Sequence, residues 1–256
     1  MSVLPAEAPR YAFVPLLLAA VLFVLLAPVF WLSVELPEGP HIARGHENAE
    51  LYQRVYPTLD HAFGRLRQGA LPLWSPGQHC GMPLHPLPSV GLWQPLHAVF
   101  LLPGTAGAMA LHAFVCLFLM GASFVLFARS LGARHVPAVI GGMVYAFSGA
   151  SAAAMSRPEL AATLAWTPLL FWATREYTRS YHYGAAVLGG VVGALVLLGG
   201  SVPMSAAVLA LFVPYTAVCL VFRRRGVQDR ISLLRRTKGF ALMAAVALGL
   251  SAVQWL

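Results

Sequence analysis

Residues 105–128 read TAGAMALHAFVCLFLMGASFVLFA, twenty-four positions without an Asp, Glu, Lys or Arg. About 20 consecutive apolar residues cross the hydrocarbon of a bilayer as an α-helix, so this run predicts a transmembrane helix and with it a membrane fold. The rest of the chain has the same character. Of its 256 residues 59% are hydrophobic and 10% charged, with a mean hydropathy of +0.72. Soluble domains carry about 25% charged residues, and a globule of this composition would lack a polar surface.

Outward from that run, further apolar stretches predict spans at Tyr11–Val34, Val136–Ala154, Glu159–Ala173, Tyr183–Gly199, Pro203–Phe222 and Gly239–Leu256. The expected fold is an all-α polytopic membrane protein with about seven transmembrane helices and a long first outer loop containing amphipathic helices. Three segments follow: a tail and first helix over 1–34, the loop over 35–104, and six further helices over 105–256. The first run is too long for the apolar core of a signal peptide and has no small-residue cleavage site, so it reads as a retained span. The last stops at Leu256 without a polar exit, which leads us to expect either a piece of a longer protein or a shortened relative. Gly141-Gly142 and Gly189-Gly190 predict closely packed helices.

The net charge of +8 does not call for nucleic acid; excess Arg in a membrane protein first marks cytoplasmic loops. With the N-terminus cytoplasmic, that side receives twelve basic and three acidic residues, a balance of about +9. The outer side holds five basic and six acidic residues, about −1. Arg223-Arg224-Arg225 and Arg235-Arg236 then fix topology, and Tyr177, Tyr181 and Tyr183 read as an interfacial belt.

Polar chemistry concentrates in the loop from Glu35 to about Gly104, which carries six of the nine histidines. Within it Glu47–Gly69 has Leu51, Val55, Leu59, Ala62 or Phe63 and Leu66 at helical spacing, Pro57 as a dividing point and Gly69 as a stop. A second amphipathic piece, Ser89–Leu102, carries Trp93, Leu96, His97 and Phe100 and is suited to the interface. Glu47 and Glu50 share a helical face with Arg54, a pattern that serves either a general base or metal-binding carboxylate, or a plain solvated face with an ion pair. His79, Cys80 and His85, with His46 beside Glu47, are metal-ligand types at no recognised zinc spacing. Three cysteines cannot build a disulfide framework. Arg157 and Glu159, in Ser156-Arg157-Pro158-Glu159, fall level with the loop, where a cation suits a phosphate-bearing lipid or a sugar donor. There is no phosphate loop, dinucleotide fingerprint or Ser-His-Asp signature.

One span, a long outer loop with an acidic helix, Tyr56-Pro57, then Gly69-Ala70-Leu71-Pro72-Leu73-Trp74-Ser75-Pro76 and Gly81-Met82-Pro83 follow in order. Later come Leu131-Gly132, Tyr145-Ala146-Phe147-Ser148-Gly149, Trp166-Thr167-Pro168-Leu169 and Leu198-Gly199-Gly200. Over about residues 10–256 the chain resembles the YfhO-like bacterial membrane proteins of the GT-C glycosyltransferase superfamily. The resemblance implies transfer of a sugar from a polyprenyl-phosphate donor to an envelope acceptor at the outer face of the bacterial inner membrane. It implies Glu50 as the catalytic carboxylate, where the family pattern has Asp, with Glu47 as its partner, one turn earlier. Arg157, Arg54, Tyr56 and Trp74 are the substrate-binding candidates, and a divalent metal ion is the one cofactor such carboxylates suggest. A second reading, from a different class, is a non-catalytic subunit whose Gly-rich spans pack on partners in a larger membrane complex. A transporter is disfavoured because no span contains a charged pair.

Overall fold

The computed structural model describes residues 51–77, 80–84, 88–221 and 233–254. The expected first span, Glu47, Glu50, His46, His79, His85 and the Arg223–Arg225 cluster lie outside the described residues. Apart from one pair of two-residue strands, the described chain is helical.

The described part of the loop starts at a π-helical turn, Leu51–Val55, that runs into helix α1, Tyr56–Arg67. Pro57 sits in the first turn of α1, where its missing N–H leaves no bond unmade. Leu51, Val55, Leu59, Ala62 and Phe63 turn inward and pack with Leu84, Val90 and Phe100. Strands β1, Trp74–Ser75, and β2, Met82–Pro83, pair antiparallel. A 3-10 helix, Pro95–Leu101, then leads to α2, Thr105–Ser130.

The helices that follow are α3, His135–Ala146; α4, Gly149–Ala154; α5, Pro158–Ser180; α6, Tyr183–Leu197; α7, Val202–Val221; and α8, Leu233–Ser251. Among the described residues three helical stretches, Thr105–Ser130, Val202–Leu220 and Arg236–Gln254, are long and apolar enough to cross a membrane. Helices α3 and α6 are apolar but short; at 1.5 Å per residue they reach only about 18 and 22 Å against a hydrocarbon core of about 30 Å. Helix α5 has the length, yet its last turns carry Arg175, Glu176 and Arg179.

The stretch expected as one span over Val136–Ala154 is broken. Helix α3 ends at Ala146, and Ser148 caps a new short helix by accepting the Ser151 N–H at 3.3 Å, while the Ser151 hydroxyl donates to the Tyr145 carbonyl at 2.8 Å. The expected tyrosine belt is also corrected. Tyr177 and Tyr181 are buried because α8 covers them: Tyr177 donates to the Arg236 carbonyl at 3.1 Å, and the Arg236 guanidinium lies over the Tyr181 ring. Of the three, Tyr183 is the exposed one.

Glycines let the helices touch. A Cβ on Gly142 would meet the Gly121 carbonyl at 2.8 Å, and one on Gly190 would meet the Met243 carbonyl at 2.8 Å, so α3 lies against α2 and α6 against α8 backbone to backbone. The contacts Gly142–Gly121, Ser123–Ala165 and Gly190–Met243 set helix directions that gather the α2 and α5 N-termini and the α6 C-terminus at one end, beneath the loop.

Candidate functional site

Three local arrangements fasten the loop to that end of the bundle. The first is a clamp at the start of α2, where the Thr105 hydroxyl donates to Asp60 Oδ1 at 2.5 Å. Arg67 lies 3.5 Å from the same oxygen and also reaches the Leu102 carbonyl. A carboxylate at a helix N-terminus is favoured by the unpaired N–H groups there.

The second is the amide of Gln94, which is buried. Its Nε2 donates to the Leu195 carbonyl at 2.8 Å and its Oε1 accepts from Trp166 Nε1 at 3.2 Å, joining the loop to α6 and α5 at once. The third is His97, wholly buried, whose Nδ1–H is shared between the Val90 and Gly91 carbonyls at 3.1 and 3.0 Å. Its ring stands 5.0 Å from that of His112 and edge-on to Phe100. Burial pushes the His97 imidazole below its ordinary value, with the Pro158, Val90 and Gly91 carbonyls opposing.

The span motifs meet just below. Pro168 has no N–H, so within α5 the Leu164 carbonyl four residues earlier lacks its helical donor. The Tyr145 hydroxyl of α3 supplies one at 3.0 Å. Gly199 lies against the Thr163 side chain, leaving no room there for a Cβ. Thus Tyr145, Trp166, Pro168 and Gly199, drawn from three separate motifs, hold one junction.

Beside this junction is a cleft of about 170 Å³, with Ala153, Ser156, Arg157, Leu160, Leu164 and Met204 among its lining. Arg157 is placed there by backbone bonds: its N–H donates to Ala154, and its carbonyl accepts from Leu160 and Ala161 at the head of α5. The lining residues are apolar except for Ser156, whose hydroxyl donates to the Ala153 carbonyl at 3.2 Å, and Arg157. Drug-sized ligands fill pockets of roughly 300–1,000 Å³, so this cleft fits one end of a ligand. Glu159 is buried in the first turn of α5, where negative charge is favoured.

The other sequence candidates fall elsewhere. Arg54 is on the π turn and Tyr56 opens α1. Trp74 lies on β1, its carbonyl 3.2 Å from His61 Nε2 and its ring against Gly81. Glu47 and Glu50 lie outside the described residues, so the structure gives no geometry for the proposed base. Among the described residues no three His, Cys, Asp or Glu side chains are grouped to hold a metal ion. Sequence reading missed Asp60 and Gln94 as docking groups, since their partners are 45 and 101 residues away. Compared with known proteins, the chain matches no family model, no curated protein and no solved structure.

Proposed function

We propose that the chain is a GT-C-like module of a membrane glycosyltransferase that moves a sugar from a polyprenyl-phosphate donor to an envelope acceptor. In this reading the chain crosses the bacterial inner membrane about seven times, with its N-terminus cytoplasmic and the loop on the periplasmic side. Glu50 acts as the base or metal-assisted carboxylate with Glu47 as partner, Arg157 meets the donor phosphate, and Arg54, Tyr56 and Trp74 are further substrate contacts.

The observation that supports this best is the cleft at the head of α5, where Arg157 stands among mostly apolar lining residues at the end of the bundle to which the loop is fastened. A lipid phosphate needs such a combination, an arginine for the anion and apolar side chains for the first carbons of its tail. Hydrogen bonds to charged groups contribute about 1.5–3 kcal/mol, so Arg157→Gln is expected to weaken polyprenyl-phosphate binding at least about tenfold, with Arg157→Lys intermediate. Equal affinity in wild type and Arg157→Gln protein would remove Arg157 from the site.

A non-catalytic subunit is the second reading, favoured by a specific surface. Val136, Ile140 and Val144 form an exposed apolar stripe along the short α3, a face suited to packing against another membrane helix. Recovery of the chain only in a stoichiometric complex, without turnover, would favour it.

A further inference from the structure

Among the described residues the loop carries an apolar edge that stands exposed. Leu71, Leu73 and Trp74 are 59, 57 and 56% exposed. Their neighbours in the same short stretch, Pro72 and Ser75, are buried, as is Leu84 just after the returning strand. The exposure therefore does not come from a loose segment. The Leu84 N–H donates to the Leu73 carbonyl at 2.9 Å, Trp74 pairs with Pro83, and the indole rests on Gly81.

The height of this edge follows from a chain of contacts. Thr105, the first residue of α2, holds Asp60; the next residue, His61, meets the Trp74 carbonyl. Arg67, four residues before Leu71, reaches the Leu102 carbonyl three residues before α2 begins. Leu101 and Leu102 are themselves exposed, and so is Arg65. Leucines, a tryptophan and arginines thus lie together at the level where the membrane-long helix α2 starts. That mixture suits the headgroup layer, where an indole is amphipathic and guanidinium groups meet phosphates.

We infer that the Leu71–Trp74 edge dips into the adjoining leaflet, with an anionic phospholipid surface as its partner and Arg65 facing the headgroups. The inference is independent of sugar transfer. It is tested on the full chain with Cys80, Cys116 and Cys219 replaced by Ala, and a single Leu73→Cys carrying an environment-sensitive fluorophore. The protein is reconstituted into vesicles of phosphatidylcholine with a minority of phosphatidylglycerol. The expected result is blue-shifted emission, strong quenching by a spin label shallow in the lipid, and iodide quenching several-fold weaker than for the free dye adduct. Leu71→Cys should behave alike; both sites are exposed, so neither replacement removes a packed contact. Iodide access equal to the free adduct would overturn the inference. So would protection from both quenchers, which would show that protein, such as residues 11–34 of this chain, covers the edge.

Discussion

The Gln94 amide serves α5 and α6 together, so its loss is felt on both. Gln94→Leu keeps the volume but leaves the Trp166 indole N–H and the Leu195 carbonyl without their partner. Buried groups left unsatisfied cost about 1–3 kcal/mol, and thermal unfolding in mild detergent should report a loss of that size, with residues 88–102 cut faster by protease. His97 adds a pH dependence of definite sign. Its folded value is held below the ordinary 6.5, so as pH falls through 6.5 the unfolded chain takes up a proton that the folded chain refuses. Its contribution to stability is complete above 6.5 and declines below it. Protection of the 88–102 amides from hydrogen exchange, taken relative to the intrinsic rate at each pH, should fall on acidification, less so in His97→Gln. Neither residue's role was legible in the sequence. Each works through a tertiary contact, and locally both are polar residues in a Pro- and Gly-punctuated stretch.

At the scale of elements, the α3–α5 contact depends on a proline. Tyr145→Phe should destabilise by about 1–3 kcal/mol because the Leu164 carbonyl then has no donor. Pro168→Ala restores a helical N–H to that carbonyl, so the double variant should recover part of the loss, measured as a double-mutant cycle. On the α6–α8 face, Gly190→Ala forces a methyl group onto the Met243 backbone and should cost about 1–3 kcal/mol in a detergent melt. Gly249→Ala, with open space around it, is the control and should be neutral or slightly stabilising. These glycine contacts were readable beforehand, since paired glycines in an apolar run have few other uses. The buried face shared by the π turn and α1 was readable too, because Leu51, Val55, Leu59 and Phe63 follow the helical period. The break at Ser148 was not, as a run of Ala, Ser and Gly suits helix on either side and a single capping hydroxyl makes the division. Tyr177 and Tyr181 misled for the opposite reason: tyrosine near a helix end suits an interface, but α8, more than fifty residues later, covers them.

For the whole molecule, the alternating helix directions put Arg129, Arg134, Arg175, Arg179 and Lys238 at the end away from the loop. That distribution agrees with the proposed cytoplasmic side. Cys80 is exposed on the loop and Cys116 is buried in α2, so a membrane-impermeant maleimide added to intact spheroplasts should label the chain, and Cys80→Ser should abolish the signal. Labelling only after permeabilisation would invert the topology. The long apolar helices were legible from composition, and the segment before them from its concentration of polar residues. The proposed sugar transfer rests on a resemblance; what the structure adds is that Tyr145, Trp166, Pro168 and Gly199 meet in one packed junction beside a small cleft lined in part by Arg157. Sugar transfer itself is the central claim, and turnover tests it most directly. The chain is purified in mild detergent and assayed with polyprenyl-phosphate sugars, as wild type and as Glu50→Gln. The account predicts transfer by the wild type and its loss in Glu50→Gln with the fold retained. Absence of transfer by the wild type, or transfer undiminished by the substitution, would contradict it.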